Sequence, residues 1–324
     1  MEQVSKSDFF ALTSDFDVIP FTQTEAWVTV QSAFNDKNLL FLVNLLPNPT
    51  VACVAHIKQK FGVRMLLIEA ECRKTVHCKM AVLTQFYTSL QELAVDAIEI
   101  KSNLRYDAQY EIAIRQAGFL RPVGFFSVAL SSYIHLDGEI KYNDNWKRNL
   151  KKADTFNLVF EAMENPTNED VHCFLNLHTE MSVSKNVPQP FSFKMIKTLL
   201  LSPHFQLFFA KDETDERIAT ILIHKAHTHA GLLYAASSSK AHASAASFYL
   251  YDKLFEYLAA QQILIFDMEK LAPSTHSTNA VFLFKNGIKG EYTLVNGEWA
   301  WYKRPYLRPL MYFAKKLLLK NIEV

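Results

Sequence analysis

The sequence predicts a soluble, mixed α/β protein made of two domains, each with a sheet flanked by helices. Its 324 residues are enough for two domains of roughly 150 residues each. Strand-like and helical runs alternate in both halves, and a polar, basic segment at 142–152 interrupts this alternation near the midpoint. We therefore expect an N-terminal domain over 1–143 and a C-terminal domain over 144–302. Whether the C-terminal helix, 303–324, packs back on the first domain is left open.

Composition excludes several functional classes. The net charge of +1 creates no strong overall field for nucleic acid or membrane, so a polyanion would have to be held by a local basic patch. Only 8 residues are glycine, and neither G-x-x-x-x-G-K-[ST] nor G-x-G-x-x-G occurs. P-loop and Rossmann nucleotide sites are therefore not expected.

The lack of a predicted signal peptide or membrane span and the small number of cysteines indicate a cytoplasmic protein. No apolar run follows the charges at the N-terminus, so no signal peptide is predicted. The longest apolar stretch, Leu39–Leu46, is interrupted by Asn44 and is too short to span a bilayer. The 4 cysteines are too few for a disulfide framework.

In the first half, a helix is expected after Thr24, which is a suitable N-cap. Later, Asp107 is expected to cap a short helix that Gly118 ends. The remaining predicted elements are the strands Leu39–Leu46, Val51–Lys58 and Arg64–Ile68, the helix Val76–Leu93, and the strands Ala97–Lys101 and Val123–Leu130.

The second half repeats this order of elements, which predicts a duplicated fold with a diverged sequence. Its predicted strands are Leu158–Ala162, Phe205–Ala210, Ile218–His224, Gly231–Ala235 and Ile263–Phe266. Its predicted helices are Glu169–Lys185, Phe193–Leu201 and Ser244–Ala260.

Two segments are candidate phosphate sites. Ser237, Ser238 and Ser239 lead from a strand into a helix, where free backbone N–H groups attract anions and small side chains allow close approach. The alternative is an ordinary polar loop before a crossover helix. Arg148 and Lys152 lie in the basic midpoint segment and could also hold phosphates, whereas the alternative there is solvated charge on a surface helix.

Other residues are candidates for catalysis or metal binding. Gly287 and Gly290 would hold Lys285 in a fixed place, unless they form only a plain turn. The histidines of H-x-x-H-x-H, beginning at His224, would be scattered over both faces of a hairpin, so no metal is expected. A covalent nucleophile is not indicated, because no G-x-S-x-G motif occurs.

Several short motifs occur in an order that resembles the Fem-type peptidoglycan aminoacyltransferases and their GNAT-like relatives. Each motif is weak alone, but together they cover nearly the whole chain. They are Phe21–Trp27, W-x-R-N-L-x-K-A at 146–153, Leu207–Ala210, Tyr234–Ser237, Phe266–Asp267 and Phe284–Gly290.

The resemblance implies two tandem GNAT-like domains, each with a mixed, mostly antiparallel sheet. It implies direct transfer of an acyl or aminoacyl group from acyl-CoA or aminoacyl-tRNA to an amine, such as that of a peptidoglycan precursor, with no tightly bound cofactor. By position, Lys285 would neutralise the oxyanion or the donor phosphates, and Tyr234 would line the catalytic cleft. The substrate-binding residues would be Arg148, Lys152, Ser237, Ser238, Ser239 and Asp267.

The sequence also departs from the family pattern. Where the family often has D-x-G-G, this chain has D-M-E-K at 267–270, and the loop 237–245 lacks the glycines of a GNAT pyrophosphate loop. These departures count against acyl-CoA. They also leave open an alternative function, a non-catalytic ligand-binding protein that keeps the GNAT-like fold.

The C-terminal segment predicts an amphipathic helix. Leu310, Phe313, Ala314 and Leu317 would line one face, and Lys and Arg residues surround them. This face could meet an anionic membrane surface or dock on the core of the protein itself, and the sequence does not decide between the two.

Overall fold

The computed structural model describes residues 1–35, 38–60, 62–122, 130–185, 191–271 and 279–318. The chain divides into two compact units, each of which is described by itself. Unit 1 comprises Met1–Leu130 and Thr293–Val324, and unit 2 comprises Ser131–Tyr292.

The strands and helices are numbered in chain order. The strands are β1 Glu2–Gln3, β2 Leu39–Val43, β3 Val51–Lys60, β4 Val63–Glu69, β5 Cys72–Arg73, β6 Ala97–Arg105, β7 Leu130–His135, β8 Val159–Met163, β9 Phe205–Lys211, β10 Arg217–Ala226, β11 His229–Ser237, β12 Ile265–Asp267 and β13 Glu291–Tyr302. The α-helices are α1 Lys6–Thr13, α2 Glu25–Asn35, α3 Met80–Leu90, α4 Ala108–Gln116, α5 Asp144–Ala153, α6 Asn168–Lys185, α7 Phe193–Leu200, α8 Ser239–Ser244, α9 Ala246–Ala260, α10 Ala280–Asn286 and α11 Leu307–Leu318.

The sheet of unit 1 has the strand order β1-β2-β3-β4-β6-β13, with β5 pairing β3. Its pairs are antiparallel except β4–β6, which is parallel from Met65↔Ala97 to Glu69↔Lys101. Helices α3 and α4 bury apolar side chains on this sheet. The core includes Leu66, Ile68, Leu83, Phe86, Tyr87, Ile98, Ile100, Tyr110, Ile114 and Trp299.

The sheet of unit 2 has the order β8-β9-β10-β11-β12-β7. Again one pair is parallel, β11–β12, and the other pairs are antiparallel. Helix α9 packs on β9 and β10, and α5 inserts Trp146, which is fully buried, into the same core. The core includes Phe208, Ile221, Leu250, Leu254, Phe255, Leu258 and Phe266.

The mixed α/β fold class predicted from the sequence is confirmed. The bounds of the two units differ from those of the predicted domains, because two strands pair with a different sheet from the one expected. Strand β7 lies before residue 143 but pairs with β12, and β13 lies within 144–302 but pairs with β6. Helix α11 belongs to unit 1.

Some predicted elements are displaced. The predicted helix Ser244–Ala260 is interrupted, because Ala245 has a φ of 56° and separates α8 from α9. The strand expected at Ile263–Phe266 is β12, which begins and ends slightly later. Of the strand expected at Val123–Leu130, residues 123–129 lie outside the described residues, as do residues 319–324 of the C-terminal helix.

Within the described ranges, no helix has the length and apolar character needed to cross a membrane.

Candidate functional site

The most distinctive feature of unit 2 is a fork between its two parallel strands. Strand β12 pairs only with the first three residues of β11, from His229↔Ile265 to Gly231↔Asp267. The remainder of β11, Leu232–Ser237, continues beyond the end of β12. Asp267 is the last residue of β12 and lies opposite Gly231, so its carboxylate lies at the point where the strands part.

A bulge interrupts β11 immediately beyond this point. Tyr234 is opposite Leu222 and Leu232 is opposite Ile223, so Leu233 has no opposite residue on β10. A bulged residue is left out of the ladder of hydrogen bonds. The backbone N–H of Leu233 is therefore a candidate donor to a ligand held in the fork.

The Asp267 carboxylate is held by two donors from the protein. Its Oδ1 accepts a hydrogen bond from the Ser131 hydroxyl and a second one, of 2.7 Å, from the backbone N–H of Glu269. Burial, and next the negative charge of Glu269, raise the pKa of Asp267 to about 7. A carboxyl group with this pKa exchanges protons readily near neutral pH, which is what a general base requires.

Lys285 stabilises the turn that follows Asp267. Its Nζ donates to the backbone oxygens of Met268 and Glu269, each at 2.6 Å, and of Lys270 at 3.1 Å. Burial lowers the pKa of Lys285 to about 8. An ammonium has three donors, and all three are engaged here. This differs from the predicted direct contact with an oxyanion or phosphates, and it makes Lys285 a positioning residue for Asp267.

Glu269 is held in an unusual conformation beside the fork. Its φ is 54°, in the left-handed region, and its Oε1 lies 3.3 Å from Nε2 of His224. The His224 ring packs on Gly231, where an added Cβ would lie 2.3 Å from Nε2. Gly231 is therefore required for this close approach. His224 contacts a carboxylate, and in the described part of the chain no cluster of His, Cys, Asp or Glu could hold a metal.

Trp146 connects the basic helix α5 with α10, which carries Lys285. The indole N–H of Trp146 donates to the backbone oxygen of Phe284 at 2.8 Å. At Gly287 an added Cβ would lie 2.1 Å from the indole ring, so a glycine is needed there. The absence of a side chain at Gly287 thus allows the indole ring of Trp146 to lie against the end of α10.

The predicted residues Arg148 and Lys152 lie on the exposed face of α5. Lys147 and Lys151 are exposed on the same helix, so four cations occupy one face. Arg148 donates to Oδ1 of Asn145 at 2.8 Å. None of the four cations forms an ion pair within the described residues.

The predicted serine loop makes hydrogen bonds within the protein at Ser238 and Ser239. The Ser238 hydroxyl caps α8 by accepting from the N–H of Ala241 at 3.3 Å. The backbone N–H of Ser239 donates to Oε1 of Glu180 at 2.8 Å. Ser237 is the last residue of β11. A carboxylate of the chain thus occupies the position expected for a phosphate, which counts against the predicted substrate role of this loop.

Tyr234 lies beyond the bulge, in an aromatic cluster. Its ring is 4.6 Å from the ring of Phe191 and 6.1 Å from that of His178. Burial lowers the pKa of His178 to about 4, so the imidazole is neutral at pH 7. Its buried Nε2 has no hydrogen-bond partner among the described residues, so it can bind a polar group of a ligand.

Three parts of this site were not predicted from the sequence: the bulge at Leu233, the Glu269–His224 contact and the Glu180 carboxylate. The D-M-E-K segment at 267–270 contained a signal, since its second acid stands where the family pattern has glycine. The contact of Glu180 with Ser239 had no signal in the sequence, because the two residues lie far apart along the chain.

No protein-family model and no curated protein matches the sequence. Solved structures do match its fold. FemX has a TM-score of 0.74 at 12% identity, covering 96% of this chain and 100% of its own. L-PGS from Bacillus licheniformis has a TM-score of 0.66 at 12% identity, covering 98% of each chain.

A tandem GNAT protein from the clavulanic acid biosynthesis pathway has a TM-score of 0.50 at 9% identity, covering 92% of this chain and 94% of its own. These likenesses concern the fold, and they agree with the repeated pattern of strand pairing in the two units. The chain therefore has the Fem-type, GNAT-like fold that its ordered motifs predicted.

Proposed function

We propose that unit 2 transfers an acyl or aminoacyl group from an activated carrier directly to an amine. The observation that carries this proposal is the position of Asp267 at the fork between β11 and β12, with a pKa raised to about 7. An amine acceptor is protonated at neutral pH and must lose a proton before it can attack. A carboxylate with this pKa is suited to take that proton.

The chemistry follows from the groups at the fork. The acceptor ammonium gives a proton to Asp267, and the nitrogen lone pair then attacks the carbonyl carbon of the donor ester or thioester. The N–H of Leu233 donates to the oxyanion that forms. The C–O or C–S bond breaks, the leaving group takes up the second proton that the attacking nitrogen loses, and an amide remains. No acyl-enzyme is required.

Two features favour aminoacyl-tRNA over acyl-CoA as the donor. The Glu180 carboxylate accepts the hydrogen bond of the Ser239 backbone N–H, and its negative charge would repel a pyrophosphate there. The four cations of α5 are exposed and have no ion pair among the described residues, so they are suited to phosphates of an RNA backbone. The proposed acceptor is an amine of a peptidoglycan precursor, the proposed location is the cytoplasm, and no tightly bound cofactor is invoked.

The direct test incubates the protein with aminoacyl-tRNA or acyl-CoA and with peptidoglycan-precursor amines, and measures amide formation. Asp267→Asn keeps the shape but cannot accept a proton, so kcat should fall by about 10²–10⁴-fold. Asp212→Asn removes a carboxylate from an exposed turn and should leave kcat unchanged. No turnover with either donor, or full activity of Asp267→Asn, would contradict the proposal.

The pH profile provides a second measurement. kcat/KM should rise through about pH 7 as Asp267 ionises. It should fall above about pH 8, because neutral Lys285 has one donor fewer for its three carbonyl partners. In Asp267→Asn the rise near pH 7 should be absent while the fall near pH 8 remains.

The choice of donor is tested separately. Replacing Arg148 and Lys152 together by Ala should raise KM for aminoacyl-tRNA and reduce its dependence on salt, because phosphate contacts are lost. The same variant should not change KM for an acyl-CoA donor. The control replaces Lys185 and Lys194, two exposed lysines of α6 and α7, by Ala. Equal effects of the two double variants would contradict a specific role for α5.

The alternative function, ligand binding without catalysis, has one observation in its favour. The donors of Lys285 and the amide of Ser239 are already engaged by the protein itself. Tight binding of a peptidoglycan precursor without amide formation would support this alternative, and measurable turnover would eliminate it.

A further inference from the structure

Helix α11 of unit 1 exposes large apolar side chains. Leu310, Phe313 and Leu317 have 54%, 60% and 65% of their surface exposed, whereas Leu307 has only 4% exposed. The helix is therefore held to the protein through Leu307 at its start. Docking on the core through Leu310, Phe313 and Leu317, one of the two arrangements expected from the sequence, is not what the structure has.

The exposed apolar residues form one stripe. Leu310, Phe313 and Leu317 are three and four residues apart, which places them on one side of the helix. Large contiguous apolar surface on a soluble protein marks an interaction site. This stripe belongs to a helix with strong separation of apolar and polar sides, as in helices that lie in a membrane interface.

The charge of the segment that contains α11 indicates the chemistry of its partner. From Trp301 to Lys320 the sequence contains six Lys and Arg residues and no Asp or Glu. Lys303, Arg304 and Arg308 are exposed. The net charge of the whole chain is only +1, so this concentration of positive charge is local. An apolar stripe beside a purely cationic segment is complementary to a surface of acyl chains under anionic headgroups.

We propose that α11 lies on an anionic lipid surface, with Leu310, Phe313 and Leu317 inserted among the acyl chains and the neighbouring cations at the headgroups. A nucleic acid would use the charges but would leave the apolar stripe in water, so lipid fits both features. This proposal does not depend on the transferase activity of unit 2.

The test is co-sedimentation of the full chain with vesicles of phosphatidylcholine containing phosphatidylglycerol, compared with phosphatidylcholine alone. We expect binding to the anionic vesicles that weakens as salt increases. Replacing Phe313 and Leu317 together by Asp should lower the bound fraction at least tenfold. The control replaces Val183 and Leu201 by Asp. These residues of unit 2 are 78% and 79% exposed and should not affect binding.

Because all four replaced side chains are exposed, both double variants should keep the melting temperature of the wild type, which checks folding. Three results would overturn the proposal: no binding to anionic vesicles at low salt, equal loss in the two double variants, or retained binding by the Phe313/Leu317 variant. RNA binding that the Phe313/Leu317 variant retains, without vesicle binding, would assign the segment to nucleic acid instead.

Discussion

The two units share one pattern of parallel and antiparallel strand pairs but differ at the parallel pair. In unit 1, β4 and β6 stay paired from Met65↔Ala97 to Glu69↔Lys101, which is nearly the whole of β4. In unit 2, β12 leaves β11 after Gly231↔Asp267. The same pairing pattern thus gives a closed pair in one unit and an open fork in the other, and the proposed chemistry uses the open fork of unit 2.

Each unit has an acid near its parallel pair, but the surroundings of the two acids differ: Glu71 follows β4, and Asp267 is the last residue of β12. In unit 1, Glu71 is fully buried and accepts hydrogen bonds from Arg73 at 2.5 Å and from the Tyr87 hydroxyl at 2.6 Å. In unit 2, Asp267 has no cation within ion-pair distance among the described residues, and its pKa is near neutral. The first acid is a structural group, and the second is available for proton transfer.

The largest expected difference is in stability. Glu71→Ala leaves the buried Arg73 guanidinium without its nearest carboxylate, so the free energy of unfolding should fall by about 3–5 kcal/mol. The control is Glu256→Ala, which removes an exposed partner of Lys253 and should cost about 0–1 kcal/mol. Denaturant unfolding measures both. Equal losses would mean that the hydrogen-bonded network of Glu71, Arg73 and Tyr87 does not have the stabilising role assigned to it.

A smaller effect is expected from the tyrosine of the same network. Tyr87→Phe removes a hydrogen bond to a buried carboxylate, so it should destabilise by about 1.5–3 kcal/mol. Tyr306→Phe, at an exposed position, should change stability by less than about 0.5 kcal/mol. If Tyr87→Phe is as mild as the control, Glu71 must find another donor.

The fork is tested by its glycine. Gly231→Ala should cost about 1–3 kcal/mol, because the added methyl overlaps the His224 ring, and it should also lower transferase activity by moving Glu269. At Gly138 an added Cβ meets no atom within 4 Å, so Gly138→Ala should be nearly neutral. Unchanged activity in a folded Gly231→Ala variant would show that the position of the His224 ring does not affect the site.

A pH dependence of stability provides a further test. The pKa of Asp267 is raised from 3.8 to about 7, so the folded state holds a proton that the unfolded state releases between these values. Stability should therefore fall as pH rises from about 4 to about 7, by at most about 1.4 kcal/mol per pH unit. Subtracting the profile of Asp267→Asn isolates this slope. A slope of opposite sign would contradict the assigned environment of Asp267.

Local elements were predictable because their signals are local. The first three-strand meander was predicted from apolar runs separated by prolines and a glycine, and it corresponds to β2, β3 and β4. Asp107 does cap α4, accepting from the N–H of Gln109, and Gly118 has a φ of 81°. The break at Ala245 was not predictable, since alanine is the strongest helix former.

Pairings between distant segments could not be read from the sequence. Nothing near Glu291–Tyr302 indicates that β13 pairs with β6, so the compact units have other bounds than the predicted domains. At the site, the motifs included Asp267 and Lys285 among the predicted site residues. They could not show that the donors of Lys285 are consumed by the turn at 268–270, because that depends on burial and geometry.

The return of β13 to the first sheet has a consequence for synthesis on the ribosome. Strand β6 is completed early in translation, yet one of its edges receives its partner only when β13 has emerged, after all of unit 2. An uncovered strand edge invites pairing with other chains. A nascent chain stalled before residue 291 would therefore expose an aggregation-prone edge of β6. A fragment truncated there should need a chaperone or a supplied β13 peptide to remain monomeric.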